Sequence, residues 1–120
     1  MLKRQSAMRR DPMVKARDGV GTTVFDHILE VTEMETNCRV LAKITLEPGA
    51  SIGYHQHVDE EDIYYILRGI ATVNDNGQII TVYPGECVYL RAGDSHGIAN
   101  DGQEPLEFIS IILTHKPPAR

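Results

Sequence analysis

Turn-forming residues recur along this chain at intervals of about 8 to 12 residues, and the segments between them are short. Pro48-Gly49 and Asn76-Gly77 are two such turns. From residue 38 to 46, apolar and polar side chains alternate, which is typical of a strand with one buried face. No segment after residue 20 has the period of an amphipathic helix. The pattern predicts an all-β sandwich or barrel.

The length and composition favour a single cytoplasmic domain. A chain of 120 residues can bury a real core without disulfides. No run reaches the about 18 apolar residues that a membrane span needs, and the N-terminus lacks the apolar stretch of a secretory signal. Cys38 and Cys87 have no C-x-x-C spacing, so we interpret them as small, buried apolar residues in a reducing compartment.

Positive charge is concentrated near the N-terminus. Residues 1–17 contain six of the 12 Lys and Arg but only one acid, a net charge of +5. The rest of the chain has six bases and 16 acids, a net charge of −10, which gives the total of −5. An acidic body matches nucleic-acid phosphates poorly, so we expect no nucleic-acid partner. Residues 1–20 are predicted to be a basic arm, which packs on its own acidic body or on a second subunit, and residues 21–116 a single domain.

The segment His55-Gln56-His57 has the clearest chemistry. Alternate residues of a strand share a face, so both imidazoles can reach one ion. Asp62 opens the next apolar run five residues later and is a plausible third ligand. The alternative explanation is an acidic loop that happens to lie beside two surface histidines. The pair alone does not distinguish these readings.

Two motifs of this chain resemble those of the cupin superfamily. The first has the spacing of a glycine, His-x-His, an acid and a second glycine, here Gly49, His55, His57, Asp62 and Gly69. The second has a glycine, a turn, a histidine and an asparagine, here Gly85, Arg91, Gly93, His96 and Asn100. The resemblance implies a jelly-roll barrel, also called a double-stranded β-helix, whose mouth holds one divalent metal ion. Among cupins, the chain is similar to the small single-domain, mannose-6-phosphate isomerase-like group.

The resemblance implies four metal ligands, namely His55, His57, Asp62 and His96. Asp62 stands where these motifs usually have Glu, and its side chain is one methylene shorter. Strand alternation points the neighbouring Glu61 away from the side of Asp62. If the strand begins one residue later, Glu61, or Glu60 in the loop, could be the acidic ligand instead. Arg91 replaces the usual proline, which we expect to alter the loop rather than the site.

Three imidazoles and a carboxylate suit Fe(II), Mn(II), Ni(II), Co(II) or Zn(II), and these ligands do not choose among them. Such a set leaves positions open for a small oxygen-bearing ligand. Strand parity predicts that Tyr64, Ile66 and Ile98 line the pocket. The Tyr64 hydroxyl could donate to a bound ligand, or its ring could simply fill the barrel. Asn100 is expected to fix a turn.

We expect a metal-dependent enzyme acting on a small oxygen-bearing metabolite, of the dioxygenase, isomerase, decarboxylase or lyase type. The alternative is a non-catalytic module that binds a sugar or another metabolite, and a third reading keeps the metal for stability only. The fold and a metal site do not specify a reaction. The resemblance also implies a homodimer.

Overall fold

A computed structural model describes all 120 residues, which form ten β-strands and no α-helix. Three single turns of 3-10 helix lie between or before strands, at Gln5–Ala7, Ala16–Asp18 and Val31–Glu33. The strands are β1 (Arg9–Val14), β2 (Thr22–Leu29), β3 (Cys38–Leu46), β4 (Ser51–Gln56), β5 (Glu60–Arg68), β6 (Ala71–Asp75), β7 (Gln78–Val82), β8 (Cys87–Leu90), β9 (Ser95–Ala99) and β10 (Leu106–Thr114). No helix is long and apolar enough to span a membrane.

The strands form two antiparallel sheets. The larger has the order β1-β2-β3-β10-β5-β8, and the smaller has the order β4-β9-β6-β7. Strands that are neighbours in sequence thus often lie in different sheets, as β4 and β5 do. This is the double-stranded β-helix that the cupin resemblance implies.

The core lies between the inner faces of the sheets. On β3, Ala42, Ile44 and Leu46 are buried and alternate with more accessible residues, as the sequence pattern predicts. Phe108 on β10 is fully buried and packs edge-to-face on Tyr64 with ring centroids 4.9 Å apart. Burying such a side chain stabilises the fold by about 1.5–3 kcal/mol. The apolar core ends at Tyr64, beyond which polar side chains occupy the interior.

Strand β4 contains an irregularity that sets the direction of its histidines. Ile52 pairs with Ile98 and His55 with His96, so three residue steps on β4 match two on β9. This extra residue is a β-bulge, which shifts the alternation of a strand by one position. Ile52 and His55 therefore both face the interior although they are an odd number of residues apart. Strict alternation, which the sequence analysis assumes, would place them on opposite faces.

The basic N-terminal segment is part of the larger sheet. Strand β1 pairs antiparallel with β2, with Pro12 opposite Val24. The sequence predicts only a basic arm here, and the structure shows an edge strand, which tolerates Pro12 because one side of it needs no partner. Arg9 and Arg10 form ion pairs with Glu30 and Asp26, at 2.8 and 3.1 Å. The arm thus packs on its own acidic body, while its boundary at residue 20 stays a prediction.

Two predicted turns are confirmed. Asn76 and Gly77 have φ of 52° and 92°, as the tight hairpin between β6 and β7 requires. The Asn100 amide is fully buried and donates to the carbonyl oxygens of Leu46 and Glu104 at 2.8 and 2.7 Å. These bonds join the loops on either side of the barrel end and fix the turn after β9.

Candidate metal centre

Three histidines from two neighbouring strands meet at one end of the barrel. His55 on β4 lies directly opposite His96 on β9, and His57 follows the end of β4. Backbone hydrogen bonds to the loop before β9 hold His57: its N–H donates to Asp94 at 3.2 Å, and its carbonyl accepts from Gly93 at 2.7 Å. The three ring centroids are 4.7 Å apart in every pair. Their nitrogen atoms can hold a metal ion.

Asp62 reaches the same point from the other sheet. It lies on β5, is 2% exposed, and places its Oδ2 atom 3.4 Å from His57 Nε2 and 3.3 Å from His96 Nε2. Its Oδ1 atom accepts a hydrogen bond from the Ser110 hydroxyl on β10 at 3.2 Å. One carboxylate oxygen is thus held from behind while the other faces the histidines. The shorter side chain of Asp is long enough to reach them.

The hydrogen bonds of two imidazoles leave nitrogen lone pairs facing each other. His55 Nδ1 lies 2.6 Å from the Gly53 carbonyl, and His57 Nδ1 contacts the Glu60 carboxylate. Both partners accept hydrogen bonds, so in each neutral ring the proton resides on Nδ1 and Nε2 is bare. The two Nε2 atoms are 2.9 Å apart. Two such lone pairs repel unless a cation or a shared proton lies beside them.

The spacing of these atoms fits a metal ion. Two nitrogens bound at right angles to one ion at about 2.1 Å would lie about 3.0 Å apart. The observed Nε2–Nε2 distance of 2.9 Å agrees with this value. The donor set and its spacing therefore suit a divalent cation with two histidines in adjacent positions.

A pair of charged residues supports His57 from behind. Glu60, at the start of β5, contacts His57 Nδ1 and also accepts two hydrogen bonds from the Arg39 guanidinium, at 2.9 and 2.8 Å. Burial alone would raise the pKa of Glu60, but the bonds from Arg39 and His57 outweigh it and lower that pKa. The carboxylate therefore stays ionised. Outer partners of this kind fix the orientation and tautomer of a metal-binding histidine.

Glu61 faces away from the histidines. Its carboxylate accepts a hydrogen bond from the Tyr89 hydroxyl and lies 3.3 Å from His115 Nε2. Of the three neighbouring acids, Asp62 is the one beside the centre, Glu60 lies behind His57, and Glu61 binds outer-surface groups. The contacts of Glu60 were not predicted from the sequence, since its partner Arg39 lies 21 residues away on another strand.

The centre opens into a cavity of about 200 Å³ between the sheets. His55, His57, Asp62 and Tyr64 line it, together with Arg17 from the segment before β2. Ile66 and Ile98 lie deeper, in the apolar core, and are not among the lining side chains. Of the three predicted pocket residues, the structure thus places Tyr64 at the cavity and the two isoleucines beneath it.

Burial controls the protonation of two groups in the cavity. It lowers the pKa of His55 to about 4, so this ring is neutral near pH 7. It also raises the pKa of Tyr64 well above its ordinary value, and the charge of Asp62 acts in the same direction. Tyr64 is therefore a neutral phenol, with its hydroxyl 3.1 Å from His96 Nε2. The cavity offers a neutral nitrogen donor and a neutral hydroxyl near the ligand position.

His27 also borders this cavity, although neither motif contains it. Its Nε2 atom lies 3.7 Å from the Asp11 carboxylate and has no hydrogen-bond partner. No regular spacing in the sequence connects it to the other histidines. It is not part of the three-histidine cluster.

Fold and site together define a small β-barrel protein whose mouth carries three histidines able to hold a metal ion. Residues 42–112 match the cupin domain family, which is more than half of the chain. The chain belongs to the cupin family. The resemblance inferred from the two motifs is therefore confirmed.

Two comparisons cover nearly the whole chain. An oxalate-binding protein of Thermotoga maritima is 34% identical over 113 residues, which cover 94% of this chain and 93% of that protein. The crystal structure of a predicted oxalate decarboxylase from Thermotoga maritima has a TM-score of 0.90, with 34% identity over 95% of this chain and 99% of that one. These two similarities extend beyond the core of the family to the N-terminal strands.

A more distant similarity covers only the barrel core. The mannose-1-phosphate guanylyltransferase ManC of Salmonella typhimurium is 28% identical over 69 residues, which are 58% of this chain but only 14% of that enzyme. The match thus falls on one small part of a much larger protein. It is compatible with the predicted link to the mannose-6-phosphate isomerase-like group, but it carries no activity over to this chain.

Proposed function

We propose that this protein binds one divalent metal ion through His55, His57, His96 and Asp62, and that the metal-bound protein takes up a small carboxylate of the oxalate class. The observation that carries the proposal is the convergence of bare imidazole nitrogens and one buried carboxylate oxygen at the base of an open cavity. The similarity to an oxalate-binding protein over most of both chains supports the ligand class. Iron, manganese, nickel, cobalt and zinc all remain compatible with these ligands.

The chain's own residues would prepare the site for this role. Gly53 and Glu60 hold the protons of His55 and His57 on Nδ1, which keeps both Nε2 atoms available. Ser110 fixes the carboxylate of Asp62. A bound divalent ion would supply a Lewis acid for the ligand's oxygen atoms. The Tyr64 hydroxyl, kept neutral by burial, can donate a hydrogen bond toward the cavity.

The first test is metal content, measured by elemental mass spectrometry on untagged protein. Asp62→Asn keeps the shape of the side chain but removes its charge, and Glu61→Gln is the matched control one residue away. We expect near-stoichiometric metal in the parent and in Glu61→Gln. Asp62→Asn should contain less metal, because its metal affinity should be lower by about tenfold or more. Loss of metal in Glu61→Gln alone would instead identify Glu61 as the acidic ligand.

The ligand class is tested on the metal-bound protein. Titration calorimetry with oxalate should show one site per chain in the parent and none after removal of the metal by a chelator. A parent that holds metal but takes up no oxalate would contradict the ligand class and leave the metal site standing.

Catalysis on the bound ligand is the second candidate function. The neutral Tyr64 hydroxyl beside His96 is the observation that favours it, because a decarboxylation must deliver a proton to the carbon that loses carbon dioxide. Hydrogen oxalate would then yield formate and carbon dioxide. Formate release from metal-bound protein and its loss in Tyr64→Phe would support an enzyme, whereas stable oxalate would favour a binding module.

A further inference from the structure

One cationic side chain at the cavity mouth has no partner of its own. Arg17 lines the cavity with His55, His57 and Asp62, and it is exposed to solvent. The ion pairs of the chain use Lys3, Arg9, Arg10, Arg39 and Arg91 and leave Arg17 without a carboxylate partner. An unpaired guanidinium beside a metal centre is a ready group for a ligand carboxylate.

The backbone that carries Arg17 is strained and firmly held. Lys15, Arg17 and Asp18 have positive φ values of 51°, 51° and 61°, which side-chain-bearing residues rarely adopt. Such strain persists only where the surroundings enforce it, and it gathers at functional sites. Here Ala16 is buried in the core, and the carbonyl of Val20 accepts from Ser51 on β4 at 2.8 Å. The position of Arg17 is thus specified by its contacts.

The backbone of Arg17 also packs on the strand that carries His55, one of the proposed metal ligands. The Arg17 carbonyl packs so closely on Gly53 that a Cβ there would collide with it. The carbonyl of Gly53 in turn accepts the proton of His55 Nδ1. One stretch of β4 therefore sets both the direction of His55 and the position of the segment that carries Arg17.

Charge counting indicates what Arg17 would bind. Among the other charged side chains that line the cavity, Arg39 is paired with Glu60, and Asp11 lies 3.4 Å from Arg9, which also pairs with Glu30, and 3.7 Å from His27. A divalent ion with the carboxylate of Asp62 and three neutral imidazoles would have a net charge of +1. The guanidinium of Arg17 raises the combined charge of these groups to +2, which matches a dianion.

We infer that Arg17 forms an anion subsite that binds the second carboxylate of a small dicarboxylate dianion held at the metal centre, and so selects dianions. The inference rests on the proposed function and names the residue that determines the ligand's charge. The cavity of about 200 Å³ is suited to a ligand of a few heavy atoms rather than to a long-chain acid.

The test compares oxalate affinity by titration calorimetry of the full, metal-bound chain in three variants. Arg17→Gln removes the positive charge but keeps an unbranched side chain, so the energetic cost of the positive φ at this position is the same as in the parent. Arg17→Lys keeps the positive charge but lacks the planar guanidinium, which can donate two parallel hydrogen bonds to a carboxylate. Arg68→Gln removes another exposed arginine, which lies at the end of β5 and does not line the cavity. Metal content is measured for each variant.

We expect Arg17→Gln to weaken oxalate binding by about 10- to 100-fold with metal content unchanged, because a charge-assisted pair is lost. Arg17→Lys should recover part of the loss, Arg68→Gln should bind like the parent, and the salt dependence of binding should be smaller in Arg17→Gln. Parent-like oxalate affinity in Arg17→Gln would overturn the subsite. A metal-bound parent without oxalate affinity would instead contradict the proposed function, so the two failures are distinguishable.

Discussion

At the scale of single residues, the site depends on side chains that would not touch the metal. Glu60 contacts one nitrogen of His57 and is itself anchored by two hydrogen bonds from Arg39. Ser110 anchors Asp62 in the same way. An imidazole that is free to rotate would lose the direction that metal binding needs, so these neighbours would contribute to metal affinity by fixing geometry.

Glu60→Ala should therefore lower metal affinity by about 10- to 100-fold while the four proposed ligands stay in place. The physical reason is that His57 loses the acceptor that fixes its tautomer and ring direction. Competition with a metal chelator measures the change, with Glu107→Ala on β10 as the control because Glu107 has no contact with the histidines. Equal affinity in Glu60→Ala and the parent would show that the ring is oriented by packing alone.

At the scale of elements, the bulge of β4 and the segment before β2 act as one unit. The bulge lets Ile52 enter the core and His55 enter the site from the same strand. Gly53 lies in this bulge, and its missing side chain lets the Arg17 backbone pack on the strand. A glycine in a strand is otherwise unfavourable, which is consistent with a close backbone approach.

Gly53→Ala should lower the free energy of unfolding by about 1–3 kcal/mol, because the added methyl group collides with a backbone carbonyl rather than with a flexible side chain. Gly102→Ala is the control, since the nearest atom to a Cβ there is the Asn100 Oδ1 atom at 3.4 Å. Urea unfolding of the metal-free proteins measures both. A Gly53→Ala protein as stable as the Gly102→Ala protein would mean that the segment before β2 moves freely.

At the scale of the whole molecule, the outer face of the larger sheet leaves apolar side chains in contact with solvent. Tyr65 and Leu67 on β5 and Tyr89 on β8 are 45%, 43% and 53% exposed. On the neighbouring β10, Ile109 lies opposite Tyr65 and Ile111 opposite Ile63. A continuous apolar face of this kind favours association of two copies.

We therefore expect a homodimer, as the cupin resemblance implies, and we expect it to use this face. Sedimentation or light scattering over a range of concentrations should give twice the chain mass, and Tyr65→Arg should shift the protein toward monomer. Ile79→Arg changes an exposed apolar residue on β7 of the smaller sheet and should leave the dimer intact. A monomer that persists at high concentration would contradict the expectation.

The sequence by itself determined the class of fold and the histidines. Alternation in β3 and the glycines of the turns depend on local backbone geometry, which nearby residues set. His55 and His57 are predicted to face one ion because residues two apart on a strand share a face, and His96 is identified by the spacing of the second cupin-like motif. The motif spacing and strand parity both favour Asp62 over Glu61, and in the structure Asp62 is the acid beside the histidines.

The tertiary structure decided whatever depends on contacts between distant segments. Three features leave no regular spacing in the sequence. The bulge shifts the alternation of β4 by one step. The pair of Glu60 and Arg39 and the contact of Arg17 with Gly53 each join residues 21 or more positions apart. Strand β1 could not be predicted from the sequence for a related reason: Pro12 is acceptable only because the strand lies at the edge of a sheet. Local propensity specifies the strands, and packing between them determines which side chains meet.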